Sequence, residues 1–419
     1  MKRKIAFFTA SALLISAAGA MAGCGSGDPY KDFNDLARLY AERSVLLNES
    51  VREKYLWGDE TMLMFHAYPN ETEDATGTMS SAFAWPYTET VAANWRVATL
   101  SDGAKKKIKS YYKRTLDGFE YYRAFRNDHH AYCASRAGNI GYASGDTYYD
   151  DNVWISREFL NAYEILGGED YLQTSINVAK YVWSGWANDD LGGIYWCEQK
   201  KNSRNTCSNA PASLLFARLY ETTQDGEWLE RAKRVYDWTH EKLMDPSDNV
   251  YWDNISNEGN ITNWKFTYNT GSMISAGVKL YEITKEERYL NEAKASAKGA
   301  FNYWFKDRAG RDYKVIDSTN PWFNVLLLAA WTELYPHDKA ATLPYIEAYE
   351  ANLNYAYADL SDENLMAPDW ANGWKRNEDG SVNYGAYGGD YGKGVNVLDM
   401  AANAENFGTL AYFYQYIKE

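Results

Sequence analysis

Histidine is scarce in this chain, with five in 419 residues. No CxxC pair and no His-rich cluster occurs, so the ligand spacing of a zinc site is missing, and no metal or cofactor is expected. Cysteine is almost as rare, at four. Positive charge is also short: 43 Lys and Arg stand against 57 Asp and Glu, for a formal net charge of -14. A chain this acidic is a poor partner for nucleic acid or an anionic membrane surface. Neutral glycans remain compatible with it.

Three of the 43 basic residues stand together at the start. Lys2, Arg3 and Lys4 precede an apolar run from Ile5 to about Ala22, followed by Gly23 and Cys24. This order reads as an export signal and not as part of the fold. The small residues before Cys24 resemble a bacterial lipobox, with Met21 where Leu is usual. Residues 1–24 are therefore expected to be a lipoprotein signal with Cys24 acylated. Residues 25–30 read as a tether and 31–419 as one domain, exported and lipid-anchored, with no transmembrane domain. Cys133, Cys197 and Cys207 remain, and a loop-closing bond between the last two suits an oxidising compartment.

What the chain has in plenty is aromatic: 36 Tyr and 16 Trp. Each offers an apolar face and a polar edge, which suits sugars as well as helical cores. The chain also repeats itself. Tyr163, Tyr220 and Tyr281 close three matching segments, 57 and 61 residues apart. Eight residues after each comes Tyr171–Leu172, Trp228–Leu229 or Tyr289–Leu290, and then a small residue, Ser175, Ala232 or Ala293. Each unit reads as a helix, a short turn, a helix and a long loop. The segment from Pro321 supplies a fourth unit. The first helix (about Tyr30–Trp57) and the last (about Val397–Tyr416) lack partners until they are paired with each other.

This predicts six inner helices beginning near Trp85, Asp151, Asn209, Thr270, Trp322 and Val397. Six outer helices are predicted near Tyr30, Lys105, Glu169, Gly226, Glu286 and Leu343. Twelve helices in six hairpins make an all-α (α/α)6 barrel. Tetratricopeptide units of about 34 residues and HEAT units of about 40–47 are shorter, so an open solenoid fits less well.

Closure gathers the inner helix starts on one rim. Asp150 and Asp151 lie at one of these starts. Acids there also cap helices and meet the positive end of the dipole. The sibling units, however, begin with Ser208–Asn209 and Tyr268–Asn269, so capping alone does not require a pair of aspartates. Two carboxylates are what glycoside hydrolysis uses. Like charges this close raise one pKa and leave one acid and one anion near neutral pH.

The stretch Asp150–Asp–Asn–Val–Trp154 resembles the paired-aspartate motif of glycoside hydrolase family 76, the endo-α-1,6-mannanases. Gly192–Gly–Ile–Tyr–Trp196, Ser208–Asn–Ala–Pro–Ala212, Thr267–Tyr–Asn–Thr–Gly271 and Pro321–Trp–Phe–Asn–Val325 follow in the family's order. Thr270 stands where many relatives have Gln. The resemblance implies an (α/α)6 fold and retaining cleavage of α-1,6-linked mannan by a monomer that needs no metal. It makes Asp150 the nucleophile and Asp151 the acid/base. Trp85, Tyr87, Asn152, Asn209, Tyr268, Asn269, Trp322 and Phe323 are the expected substrate contacts. The other readings are an inverting hydrolase or lyase, a transglycosylase using the same acids, and a glycan-binding lipoprotein without catalysis.

Overall fold

A computed structural model describes residues 28–418 apart from 70–80, 319 and 390–391. The leader, Cys24 and the start of the tether lie outside the described residues. Among those residues there are twelve α-helices. They are α1 Asp35–Tyr55, α2 Ala84–Leu100, α3 Asp102–Asp117, α4 Tyr149–Leu166, α5 Glu169–Ser184, α6 Thr206–Thr223, α7 Gly226–Leu243, α8 Thr267–Thr284, α9 Glu287–Trp304, α10 Pro321–Leu334, α11 Lys339–Tyr357 and α12 Val397–Tyr412.

The even-numbered helices form the inner ring. Each packs on the next, and α12 packs on α2, so the ring closes. The odd-numbered helices lie outside. Helix α1 sits against α12 as expected, with Asn34 Nδ2 donating to the Tyr414 carbonyl and Ser44 Oγ to that of Ala404. The chain is an (α/α)6 barrel and not an open superhelix.

Composition separates the two rings. In α10 almost every residue from Pro321 to Leu334 is buried, whereas α3 is amphipathic and turns its lysines outward. A helix apolar all round belongs inside, and one with a polar face belongs at the surface. The small residues of the repeat mark where an outer helix crosses an inner one. Ser156 and Ser175 exchange hydroxyl–carbonyl bonds at 2.9 Å across α4 and α5. Across α6 and α7, Ser213 Oγ donates to the Ala232 carbonyl, also at 2.9 Å. Within the ring, α8 meets α10 so closely that a Cβ on Gly271 would lie 2.6 Å from the Leu326 carbonyl oxygen. Only glycine permits that approach.

Short strands occupy the long loops above the inner helix starts. The strand Val250–Ser256 lies between Ser203–Asn205 and Ile261–Lys265, and these lead directly into α6 and α8. No helix among the described residues is long and apolar enough to cross a membrane. Cys133, Cys197 and Cys207 are all buried and unbonded. Cys197 and Cys207, which the sequence allowed to pair, do not: the Cys197 backbone is bridged to Tyr148, and Cys207 sits on α6 beside Asp150.

Candidate active site

The inner helices present their second residues to one another at the rim. In order these are Trp85, Asp150, Cys207, Tyr268, Trp322 and Leu398. Four of the six are apolar or aromatic, one is a thiol and one is an acid. With 3.6 residues per turn, the next inward position is four residues on, and on α4 this is Trp154. Trp154 lies 5.6 Å from Trp322, ring to ring. Trp322 in turn meets Trp85 at 4.8 Å and Tyr268 at 5.4 Å, and Tyr268 meets Phe323 at 4.5 Å. Trp85, Tyr268, Trp322 and Phe323 are thus brought together as expected, on a floor completed by Trp154.

Below this floor the barrel axis is polar. Trp322 Nε1 donates to Glu89 Oε2 at 2.8 Å. Glu89 is buried beside Glu405, and burial together with that neighbour's charge holds its carboxyl well above the usual range. The Arg157 guanidinium, over the Trp154 ring at 4.9 Å, supplies the countercharge. The floor is therefore fixed from beneath by hydrogen bonds and ions as well as by packing.

Asp150 and Asp151 open α4 with the unpaired N–H groups of its first turn nearby. Asp150 Oδ2 accepts from Trp196 Nε1 at 3.3 Å, while Oδ1 is buried without a well-formed hydrogen bond. Burial pushes the Asp150 carboxyl up to about 6, against the lowering effect of the surrounding donors. Asp151 is 8% exposed. Burial and then the charge of Asp150 raise it well above the ordinary range. The two carboxyls titrate as a pair: once one is ionised, its charge makes the second loss harder.

Three expected contacts face elsewhere. Tyr87, Asn152 and Asn209 are the fourth residues of their helices, turned about 200° from the inward second residue at 3.6 residues per turn. Tyr87 is fully buried, donates to the Thr115 carbonyl at 2.6 Å, stacks on Tyr122 and meets Phe119 edge-on. Asn152 accepts from the Tyr132 N–H at 2.8 Å and donates to the Tyr132 and Tyr148 carbonyls at 3.0 and 2.7 Å. Asn209 repeats the pattern on Ile194 and Asn205. Thr270 does so in part, accepting from the Tyr251 N–H at 3.2 Å. The hydrogen-bonding atoms of these side chains are engaged by the protein itself, and Asn152, Asn209 and Thr270 stitch the rim loops to the barrel. Asn269 is fully buried, and both polar atoms of its amide lack a protein partner.

Two acids escaped the sequence reading. Asp253 stands on Val250–Ser256 and is raised by burial, and its charge reaches Cys207 and Tyr268. Its signal was its place directly after Tyr251–Trp252, the landmark that closes the second repeat. Asp399 is the third residue of α12, as Asp151 is of α4. Burial raises it to about 7, against a lowering contact with the Trp322 N–H. A count of acids at third helix positions would have found it.

A helical barrel with two unequal carboxylates above an aromatic floor defines a carbohydrate-active enzyme. The pattern of glycosyl hydrolase family 76 matches residues 60–403, and the chain belongs to that family. The chain is 31% identical over 109 residues to a mannan endo-1,6-alpha-mannosidase of Candida albicans, a stretch covering 24% of each. Across three such fungal proteins it spans 24%, 45% and 23% of their lengths. Among solved structures, a family 76 mannosidase of Bacteroides thetaiotaomicron superposes with a TM-score of 0.78 at 23% identity, over 89% of this chain and 98% of that one. An alpha-1,6-mannanase of Salegentibacter, made inactive by replacing two adjacent aspartates with asparagine and bound to alpha-1,6-mannotriose, superposes at 0.67 with 22% identity. That match covers 89% and 99%.

Proposed function

We propose that this protein cuts the backbone of α-1,6-linked mannan internally, with retention of anomeric configuration. The observation that carries this reading is the Asp150–Asp151 pair, one acid and one anion at a single helix start. The curated relatives bear the name mannan endo-1,6-alpha-mannosidase. The Salegentibacter enzyme was inactivated at two adjacent aspartates, which is consistent with the same assignment.

The chemistry follows from the unequal pair. The Asp150 carboxylate attacks the anomeric carbon as the glycosidic bond breaks, and Asp151 passes its proton to the departing oxygen. A glycosyl ester on Asp150 results. Asp151, now a carboxylate, takes a proton from water, whose oxygen attacks the same carbon and releases Asp150. Two displacements restore the starting configuration. Asp253, half-buried at the same cleft, is placed to accept from sugar hydroxyls. Trp85, Tyr268 and Phe323 present half-buried rings to the C–H faces of the pyranose. Asn269, with an unpaired amide, is a further candidate contact.

Digestion of linear and branched α-1,6-mannan, with products sized over time and the first-formed anomer read by proton NMR, tests the reading. A ladder of oligosaccharides with α-anomers first supports it. Mannose alone from the earliest points overturns internal cutting, and β-anomers overturn retention. Products longer than the substrate would show transfer to a sugar acceptor by the same two acids. We also propose that Cys24 is acylated and anchors the enzyme to a membrane. Cys24→Ser should release the protein into the soluble fraction.

A further inference from the structure

The aromatic rings of the cleft continue past its edge. Phe266, directly before α8, packs on Phe323 at 5.3 Å and on Tyr268 at 5.8 Å. Its backbone is extended, at φ -126 and ψ 140, so it prolongs the strand Ile261–Lys265 that leads into it. In an extended chain, residues two apart share a face and lie about 7 Å apart. Trp264 therefore stands on the face of Phe266, one step further out. It is 66% exposed, the most of any large hydrophobic side chain among the described residues.

Two features hold that indole in place. Lys265, between the two rings, turns to the opposite face. There its ammonium meets Asp245 at 2.6 Å and Asp248 at 2.7 Å, with only 6% of the side chain exposed. This double ion pair pins the strand from behind. On the neighbouring strand Trp252 faces Lys265 and Asn254 faces Thr262, so Asp253 opposes both Asn263 and Trp264. Such a bulge re-aims side chains, and bulges are common beside active sites. Here it sets Trp264 on the side of Asp253.

A lone exposed apolar residue is ordinary. An exposed tryptophan on an edge strand is a liability, because edges invite pairing with other chains. This one also lies in line with the cleft rings on a strand pegged by buried ions. We propose that Trp264 is a sugar-stacking platform outside the point of cleavage. It would hold one neutral hexose of a chain that leaves the cleft over Phe266. The proposal rests on the mannan reading above, and it gives an internal cutter a grip on polymer that a disaccharide never reaches.

The test is calorimetric binding of α-1,6-mannobiose, -triose, -tetraose and -hexaose to the inactive Asp151→Asn protein, with and without Trp264→Ala. Affinity should rise with length in Asp151→Asn. Trp264→Ala should flatten that rise, weakening the longest ligand about tenfold and mannobiose not at all. Trp264→Phe should retain most of the rise. Melting temperature confirms the fold of each variant. Equal affinities with and without Trp264 at every length overturn the platform and leave the mannan reading standing. A loss equal at all lengths also overturns it, by placing the ring inside the cleft. If Asp151→Asn binds none of these ligands, both readings fall.

Discussion

Helices α4 and α6 are one design used twice, and only one copy carries a pair of acids. Both cross their outer partners through a serine bonded to a backbone carbonyl, Ser156 to Ser175 and Ser213 to Ala232. Both use their fourth residue, Asn152 or Asn209, to hold the loop above. They part at positions two and three, where Asp150–Asp151 on one answers Cys207–Ser208 on the other. Scaffold contacts and acids thus occupy different positions of a single turn. Residues there can change without disturbing the crossing or the loop anchor.

The largest break in this comparison is to remove the acids. Asp150→Asn and Asp151→Asn should each lower the rate on mannan by about a thousandfold or more while the protein stays folded. Asparagine caps a helix about as well as aspartate. An aryl mannoside with a good leaving group separates the two. Asp151→Asn should still form the glycosyl ester and be rescued by azide as α-mannosyl azide, whereas Asp150→Asn should form no ester. Near-normal rates in both variants would reduce the pair to a cap.

The loop anchors should fail alike in the two copies. Asn152→Ala and Asn209→Ala each leave buried backbone groups unpaired. Each should cost about 2–4 kcal/mol in denaturant unfolding. Only Asn152 holds a loop at the helix that bears the proposed catalytic acids, so its variant should also lose rate beyond what its unfolded fraction explains.

The acids also predict a pH signature that α6 lacks. Asp150 has its pKa raised on folding from 3.8 to about 6. Between these values the native state holds more protons than the unfolded chain, so stability falls as pH rises through that window. Asp150→Asn should therefore melt higher than the parent at pH 7, by up to about 3 kcal/mol of stability, with the gap closing below pH 4. Activity runs the other way on its acid limb, since kcat/KM should fall as pH drops below about 6 and Asp150 takes up its proton. A parent as stable as the variant at pH 7 would mean that the carboxylate is not desolvated as described.

Helix number and order were legible because burial on one stripe imposes a 3.6-residue period and the repeat sets the spacing. Predicted starts such as Trp85, Gly226 and Val397 fall within a residue of the helices. The acid pair was legible because no sibling helix start carries two acids. The facing of single residues at the rim was not. One step along a helix turns a side chain by about 100°, so Tyr87, Asn152 and Asn209 looked like neighbours of the cleft while pointing away from it. The short strands were invisible as well. Their pairing is set by loops closing over helix ends, not by any pattern within Val250–Ser256, and so Asp253 and Trp264 went unread.

The smallest predicted effect lies at the position where the two copies differ most directly. Cys207 holds on α6 the inward place that Asp150 holds on α4. Burial, and then the charge of Asp150, raise the Cys207 thiol well above its ordinary range, so it stays protonated and can donate. The neighbouring thiol is the leading influence keeping the Asp150 carboxyl from rising further. Cys207→Ala removes it and should move the acid limb of kcat/KM to higher pH, lowering activity at pH 5 by about two- to fivefold and leaving the rate at pH 7 nearly unchanged. Cys207→Ser keeps a donor of similar size and should restore the parent profile. If Ala and Ser behave alike, the thiol only fills space, and the two helices share nothing at this position beyond its inward direction.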